Sequence, residues 1–170
     1  MNNKSMRPVH LIESDLAWVL LQAVKAMGLV LHEGRSMDQA LAMALKGSQT
    51  PQAKGAVSDL THYGLRWLGR GQVLAQLLTG KPQLKPQRLG DLLGLALALI
   101  WNPEDSKYAV HTVVDQAVKA CAADGELIAG KGLMNACLRN FLRERDHWVD
   151  LACQKPRAVW NFPDWWINKV

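Results

Sequence analysis

Cysteine is scarce in this 170-residue chain: Cys121, Cys137 and Cys153 stand far apart, and no Cys-x-x-Cys pair occurs. That excludes a disulfide framework and a zinc ribbon, and it suits reduced, mostly buried thiols in a cytoplasmic protein. The five histidines, His10, His32, His62, His111 and His147, never fall at H-x-x-x-H spacing, so no metal site is expected. Long apolar runs are missing too. The most apolar stretch, Leu92 to Trp101, is far shorter than the ~20 residues a bilayer span requires, and the opening MNNKSMRPVH has no apolar signal core. No membrane partner is expected. No segment alternates apolar and polar residues between turn signals, which argues against a sheet. Acidic residues are absent between Asp59 and Asp91.

What is present is helical periodicity. Hydrophobic residues make up 49% of the chain, enough for one continuous core. Leu16, Leu20, Ala23, Val24, Met27 and Leu31 form one stripe, ended by Gly34. Ser36-Met-Asp-Gln39 reads as a capping box, with Met37, Leu41, Ala44 and Leu45 as the buried side of the helix it opens. Pro51 suits the first position of a third helix burying Val57, Leu60, Gly64 and Leu68. A short fourth helix is expected over Gln72 to Leu78. The prolines of Gly80–Pro86 enforce a loop. Arg88 to Trp101 is apolar nearly all round, as a central buried helix would be. Val110, Val113, Val114, Ala117, Val118 and Cys121 give one further stripe; Met134, Cys137, Leu138 and Phe141 give another. The pattern predicts an all-α bundle of seven or eight helices joined by short connections.

The end of the chain changes character. Four of the seven tryptophans lie at or beyond Trp148, in a stretch that includes Pro156, Trp160 and Asn161-Phe-Pro-Asp-Trp-Trp166. The expected division is a helical domain over 1–150 and an aromatic linker over 151–170, docking on the bundle or leading into a further domain.

The formal net charge is +5 and the isoelectric point about 9.3, a balance that favours a polyanionic partner. The acid-free interval holds Arg66, Arg70, Lys81, Lys85 and Arg88. Projected as one continuous helix, His62, Tyr63, Arg66 and Arg70 share a face, and cations interleaved with an aromatic ring suit phosphate contact plus base stacking. An ordinary solvated face, with Arg66 paired to Asp59, fits the same spacing. Arg143 and Arg145 are possible further phosphate contacts beside Glu144 and Asp146. No glycine-rich loop between a strand and a helix is present to hold a cofactor, and no nucleophile-and-base constellation can be argued. The chain itself is expected to be non-catalytic.

Four segments carry a resemblance. Gly132-Leu-Met-Asn-Ala-Cys-Leu-Arg139 is similar to the signature helix of the NusB/RsmB domain. Asp59-Leu-Thr-His-Tyr-Gly-Leu-Arg66-Trp67 and His111-Thr-Val-Val-Asp-Gln-Ala-Val118 resemble two more of its helices, and Phe162-Pro-Asp-Trp-Trp166 resembles the element joining that domain to a catalytic part in the rRNA small-subunit methyltransferase B (Sun/Fmu) proteins. The resemblance implies a NusB-like helical fold, ribosomal RNA as partner, and a fused or missing C-terminal methyltransferase domain using S-adenosylmethionine and a cysteine in a Pro-Cys or Thr-Cys setting that no cysteine here occupies. It implies no DNA partner. Asn135 and Arg139, signature residues one turn apart at the margin of the buried stripe, are expected to be structural, with the arginine donating to carbonyls and locking neighbouring helices; the resemblance also implies an RNA-binding N-terminal segment, reduced here to Lys4 and Arg7. A free-standing NusB-type antitermination factor and a protein-docking bundle that binds no RNA are the rival readings.

Overall fold

The computed structural model describes residues 9–169, so Lys4 and Arg7 lie outside the described residues. Among those residues there are ten α-helices, eight of them of eight residues or more, and no strand. The all-α expectation holds. α1 spans Leu16–Glu33, α2 Met37–Ala44, α3 Pro51–Arg66, α4 Leu68–Thr79 and α5 Gln87–Leu99; α6 spans Val110–Ala123, α7 Lys131–Arg143, α8 Arg145–Cys153, α9 Pro156–Trp160 and α10 Asp164–Ile167.

α5 is the centre. Leu92 to Leu99 are all buried, so this stretch of the helix has no solvent side, and α1, α4, α6 and α7 surround it. Among the described residues α1, rather than Leu92–Trp101, is the one helix long and apolar enough to cross a membrane, but eight of its eighteen residues are buried within the bundle, where it packs on α2, α3, α5 and α6. Phe141, with no exposed surface, joins α7 to the same core as Leu20, Leu93 and Leu127. Met134, Cys137 and Leu138 line up beside it, as the stripe requires.

Local signals set several boundaries. Gly34 closes α1 in the left-handed conformation (φ 67°). Ser36 Oγ accepts from the Gln39 amide while Gln39 Oε1 accepts from the Ser36 amide, both at 3.3 Å, completing the capping box. Pro51 opens α3.

Other helix starts are held from a distance. The Ala17 amide donates to Gln116 Oε1 of α6 (3.1 Å), and the Arg70 amide, third in α4, donates to Asn161 Oδ1 (2.9 Å). Both are early helical N–H groups with no partner inside their own helix. Before α3, the Glu13 carboxylate accepts from the Gln49 amide (2.8 Å), the Thr50 amide (3.0 Å) and the Thr50 hydroxyl (2.7 Å). Those bonds, the Thr50 hydroxyl foremost, hold its carboxyl below the usual range. A carboxyl depressed in the folded state adds stability above its unfolded pKa and loses it as pH falls. Glu13→Gln is therefore expected to lower the melting temperature at neutral pH and to flatten the melting-temperature profile between about pH 5 and pH 3. Parallel profiles for the variant and the parent would contradict this.

One sequence expectation changes. α3 stops at Arg66, and α4 begins at Leu68 instead of Gln72, so Leu68 and Arg70 belong to the fourth helix. The helix so extended packs closely: a Cβ at Gly71 would fall far inside contact distance of the Gly94 carbonyl, so this glycine lets α4 lie directly against α5. The expected division at residue 150 falls inside α8. α9 packs on α4 and α8, with Ala158 buried at 1% exposure, and Asn161 (φ 56°) turns the chain so that its side chain reaches α4. Residues 151–161 are thus packed against the bundle.

Candidate nucleic-acid interface

The expected face of His62, Tyr63, Arg66 and Arg70 is divided at the α3–α4 junction. Arg66 is exposed at the end of α3, and Asp59 is paired instead with Lys107 (3.2 Å), so Arg66 keeps an uncompensated charge among the described residues. His62 bonds through Nδ1 to the Ser58 carbonyl (2.8 Å). Tyr63 turns inward: its hydroxyl donates to the Ala98 carbonyl (2.9 Å), and desolvation raises its pKa. Arg70 is half-buried, its guanidinium 4.2 Å from the ring centroids of both Trp67 and Trp101. This cation–π sandwich staples α4 to the end of α5. Arg145 reaches the same place, with Nε donating to the Trp101 carbonyl (2.6 Å) and a terminal nitrogen 3.0 Å from Asp146. Tyr63, Arg70 and Arg145 thus all contact the end of α5 or the segment just beyond it, at Ala98 or Trp101.

The second group lies on the α4–α5 loop. Lys81 and Lys85 are exposed and make no ion pair among the described residues. Arg88 is different: its terminal nitrogens bridge Asp124 (2.6 Å) and Glu126 (3.2 Å), which ties α5 to the turn after α6. Beneath the loop is a polar cavity of about 210 Å³, bounded by Gln72, Gln76, Lys81, Gln87, Asp91 and Arg157 among others. Arg157 donates to the Gln72 side-chain oxygen across it. Asp91 accepts from His32 (3.1 Å); burial raises its carboxyl and the histidine partly offsets that.

The third group is on α7, where Arg139 Nε donates to Asn135 Oδ1 (2.9 Å) and an Arg143 terminal nitrogen donates to Asn140 Oδ1 (2.9 Å). The structural role expected for Asn135 and Arg139 would lock neighbouring helices; the bond between them stays within one helix, and Arg139 is exposed. The sequence reading missed Arg157, Gln72 and Asn140. An amide three or four residues from an arginine on one helix was the available signal for Asn140, whereas the Gln72–Arg157 contact joins residues 85 apart and had none.

No reactive thiol emerges from the core. Burial pushes Cys121 up to about 11 and raises Cys137 as well, so both are protonated at neutral pH. Cys153 is exposed on α8. Among the described residues, no three His, Cys, Asp or Glu side chains gather as metal ligands.

Fold and surfaces together define a helical module in which Arg66, Lys81, Lys85, Arg139 and Arg143 are exposed and make no ion pair among the described residues. No family model matches the chain. Over 146 residues, 86% of its length, it is 26% identical to the ribosomal RNA small subunit methyltransferase B of Vibrio cholerae. The chain spans about a third of that relative's length, 33%.

Proposed function

We propose that this chain is a NusB-like, non-catalytic module that helps a ribosomal RNA cytosine-5 methyltransferase hold its substrate. The similarity to an rRNA methyltransferase over most of the chain carries the reading. The exposed cations Arg66, Lys81 and Lys85, in an interval without a single carboxylate between Asp59 and Asp91, support it. Such cations contact phosphates and recognise RNA through backbone and shape. Methyl transfer belongs to a separate catalytic part that binds S-adenosylmethionine.

The aromatic end fits a connection to that part. Trp160 and Trp165 are each 64% exposed, and Phe162 and Trp166 also face solvent. Trp160, Phe162, Trp166 and Ile167 border a hollow of about 330 Å³. A contiguous exposed aromatic surface of this kind marks an interface, and in this proposal it packs against the methyltransferase domain.

The test is titration of the chain against a labelled rRNA helix–loop at two salt concentrations, beside an Arg66→Ala, Lys81→Ala, Lys85→Ala variant. Binding that weakens with salt is expected, with a salt slope smaller by about one unit for each phosphate contact removed. Absence of binding by the parent chain at low salt would overturn the proposal.

A further inference from the structure

Lys131, Asn135, Arg139 and Arg143 follow one another at four-residue spacing, so they form a single stripe along α7. Lys131, Arg139 and Arg143 are exposed. Lys131, Asn135 and Arg139 form one wall of a groove of about 340 Å³, whose other wall is Asp115 and Val118 of α6. Asp115 is the sole carboxylate lining that groove.

How the two arginines are held is the informative feature. A surface arginine in a helix is commonly steadied by a carboxylate one turn away, which also cancels its charge. Here both partners are amides, Asn135 for Arg139 and Asn140 for Arg143, each at 2.9 Å. An amide oxygen fixes the guanidinium and leaves its full positive charge. Arg139 spends only Nε, so neither terminal nitrogen is bonded among the described residues, and these form the fork that grips a phosphate from two donors. The ordering cost of a flexible side chain is met before any ligand arrives.

We propose that this α7 stripe is a preorganised site for the phosphodiester backbone of RNA, with Lys131, Arg139 and Arg143 as contact residues and Asn135 and Asn140 as positioning residues. It rests on the RNA-binding reading above but uses a different surface. Asn135 and Arg139 thereby take a binding role in place of a packing one.

The experiment compares four forms of the full 170-residue chain, each titrated with a labelled RNA hairpin and with a DNA hairpin of matching sequence over a range of salt. They are the parent; Arg139→Ala with Arg143→Ala; Asn135→Asp with Asn140→Asp; and the Arg66, Lys81, Lys85 alanine variant. Circular dichroism checks that each remains helical. The double-arginine variant is expected to lose about tenfold in affinity at low salt, with a salt slope smaller by about two, because two phosphate contacts disappear. The double-aspartate variant keeps both arginines and their geometry but neutralises them, and should lose a comparable factor; a packing role would leave it unaffected. Losses should be alike for RNA and DNA, since phosphate alone is read. Loss confined to RNA would overturn the phosphate assignment. If the parent binds but both α7 variants bind equally well, the stripe is not a contact surface and the general reading survives. If the parent binds neither hairpin, both fall.

Discussion

Gly71→Ala should destabilise the chain by roughly 2 kcal/mol or more, opposite in sign to what helix propensity alone predicts. Alanine is favoured over glycine in a helix interior by about 1 kcal/mol. At Gly71, however, the new methyl would fall inside contact distance of the carbonyl of Gly94, and its carbonyl carbon and Cα are close as well. All three are backbone atoms, so no rotamer change relieves the clash; α4 and α5 must separate. Overpacking of this kind costs about 1–3 kcal/mol, occasionally more, and here it opens the helix pair at the centre of the bundle. Gly55 in α3 is the control: nothing lies within 4 Å of a Cβ there. Gly55→Ala should stabilise by about 0.5–1 kcal/mol. Urea denaturation followed by far-ultraviolet circular dichroism measures both. Equal, positive effects at the two sites would show that the α4–α5 approach is looser than described.

The same glycine explains what could and could not be read from the sequence. α1, α5, α6 and α7 were legible because their apolar spacing reports burial directly, and α2 because its capping box is local. α4 was misplaced at its start. Gly69 and Gly71 look like breaks in a helical pattern, and only the neighbouring helix shows that they are contact points. That error carried Arg70 into the wrong helix and gave it a solvent face, when it sits between Trp67 and Trp101. The distant caps escaped for a related reason. Gln116 serves Ala17 and Asn161 serves Arg70 across 99 and 91 residues, and no spacing rule reaches that far. Of the candidate contacts, the positions of Lys81 and Lys85 on an exposed loop followed from the prolines around them. The inward turn of Tyr63 and the pairing of Arg88 with Asp124 and Glu126 depend on neighbours that composition does not reveal.

Gly69→Val should act on the end of the chain instead of its centre. A Cβ at Gly69 would overlap the Arg157 carbonyl and crowd the Asn161 Cα, so valine forces α9 away from α4. Three contacts go with it: the Arg157 bond to Gln72, the burial of Ala158, and the Asn161 side chain on the Arg70 amide. The overpacking cost of about 1–3 kcal/mol is released by detaching a five-residue helix, a cheaper response than opening the core. Hydrogen exchange should therefore accelerate by about tenfold or more at the Arg70 amide and across α9, while α5 keeps its protection. Arg157 would also leave the polar cavity beneath the Lys81 loop. If RNA affinity falls in this variant while helix content persists, the docked position of α9 matters to the RNA surface as well as to the connection proposed for the aromatic end. If α5 loses protection in step with α9, residues 151–161 unfold together with the core, and the start of a separable connection must be placed after Asn161.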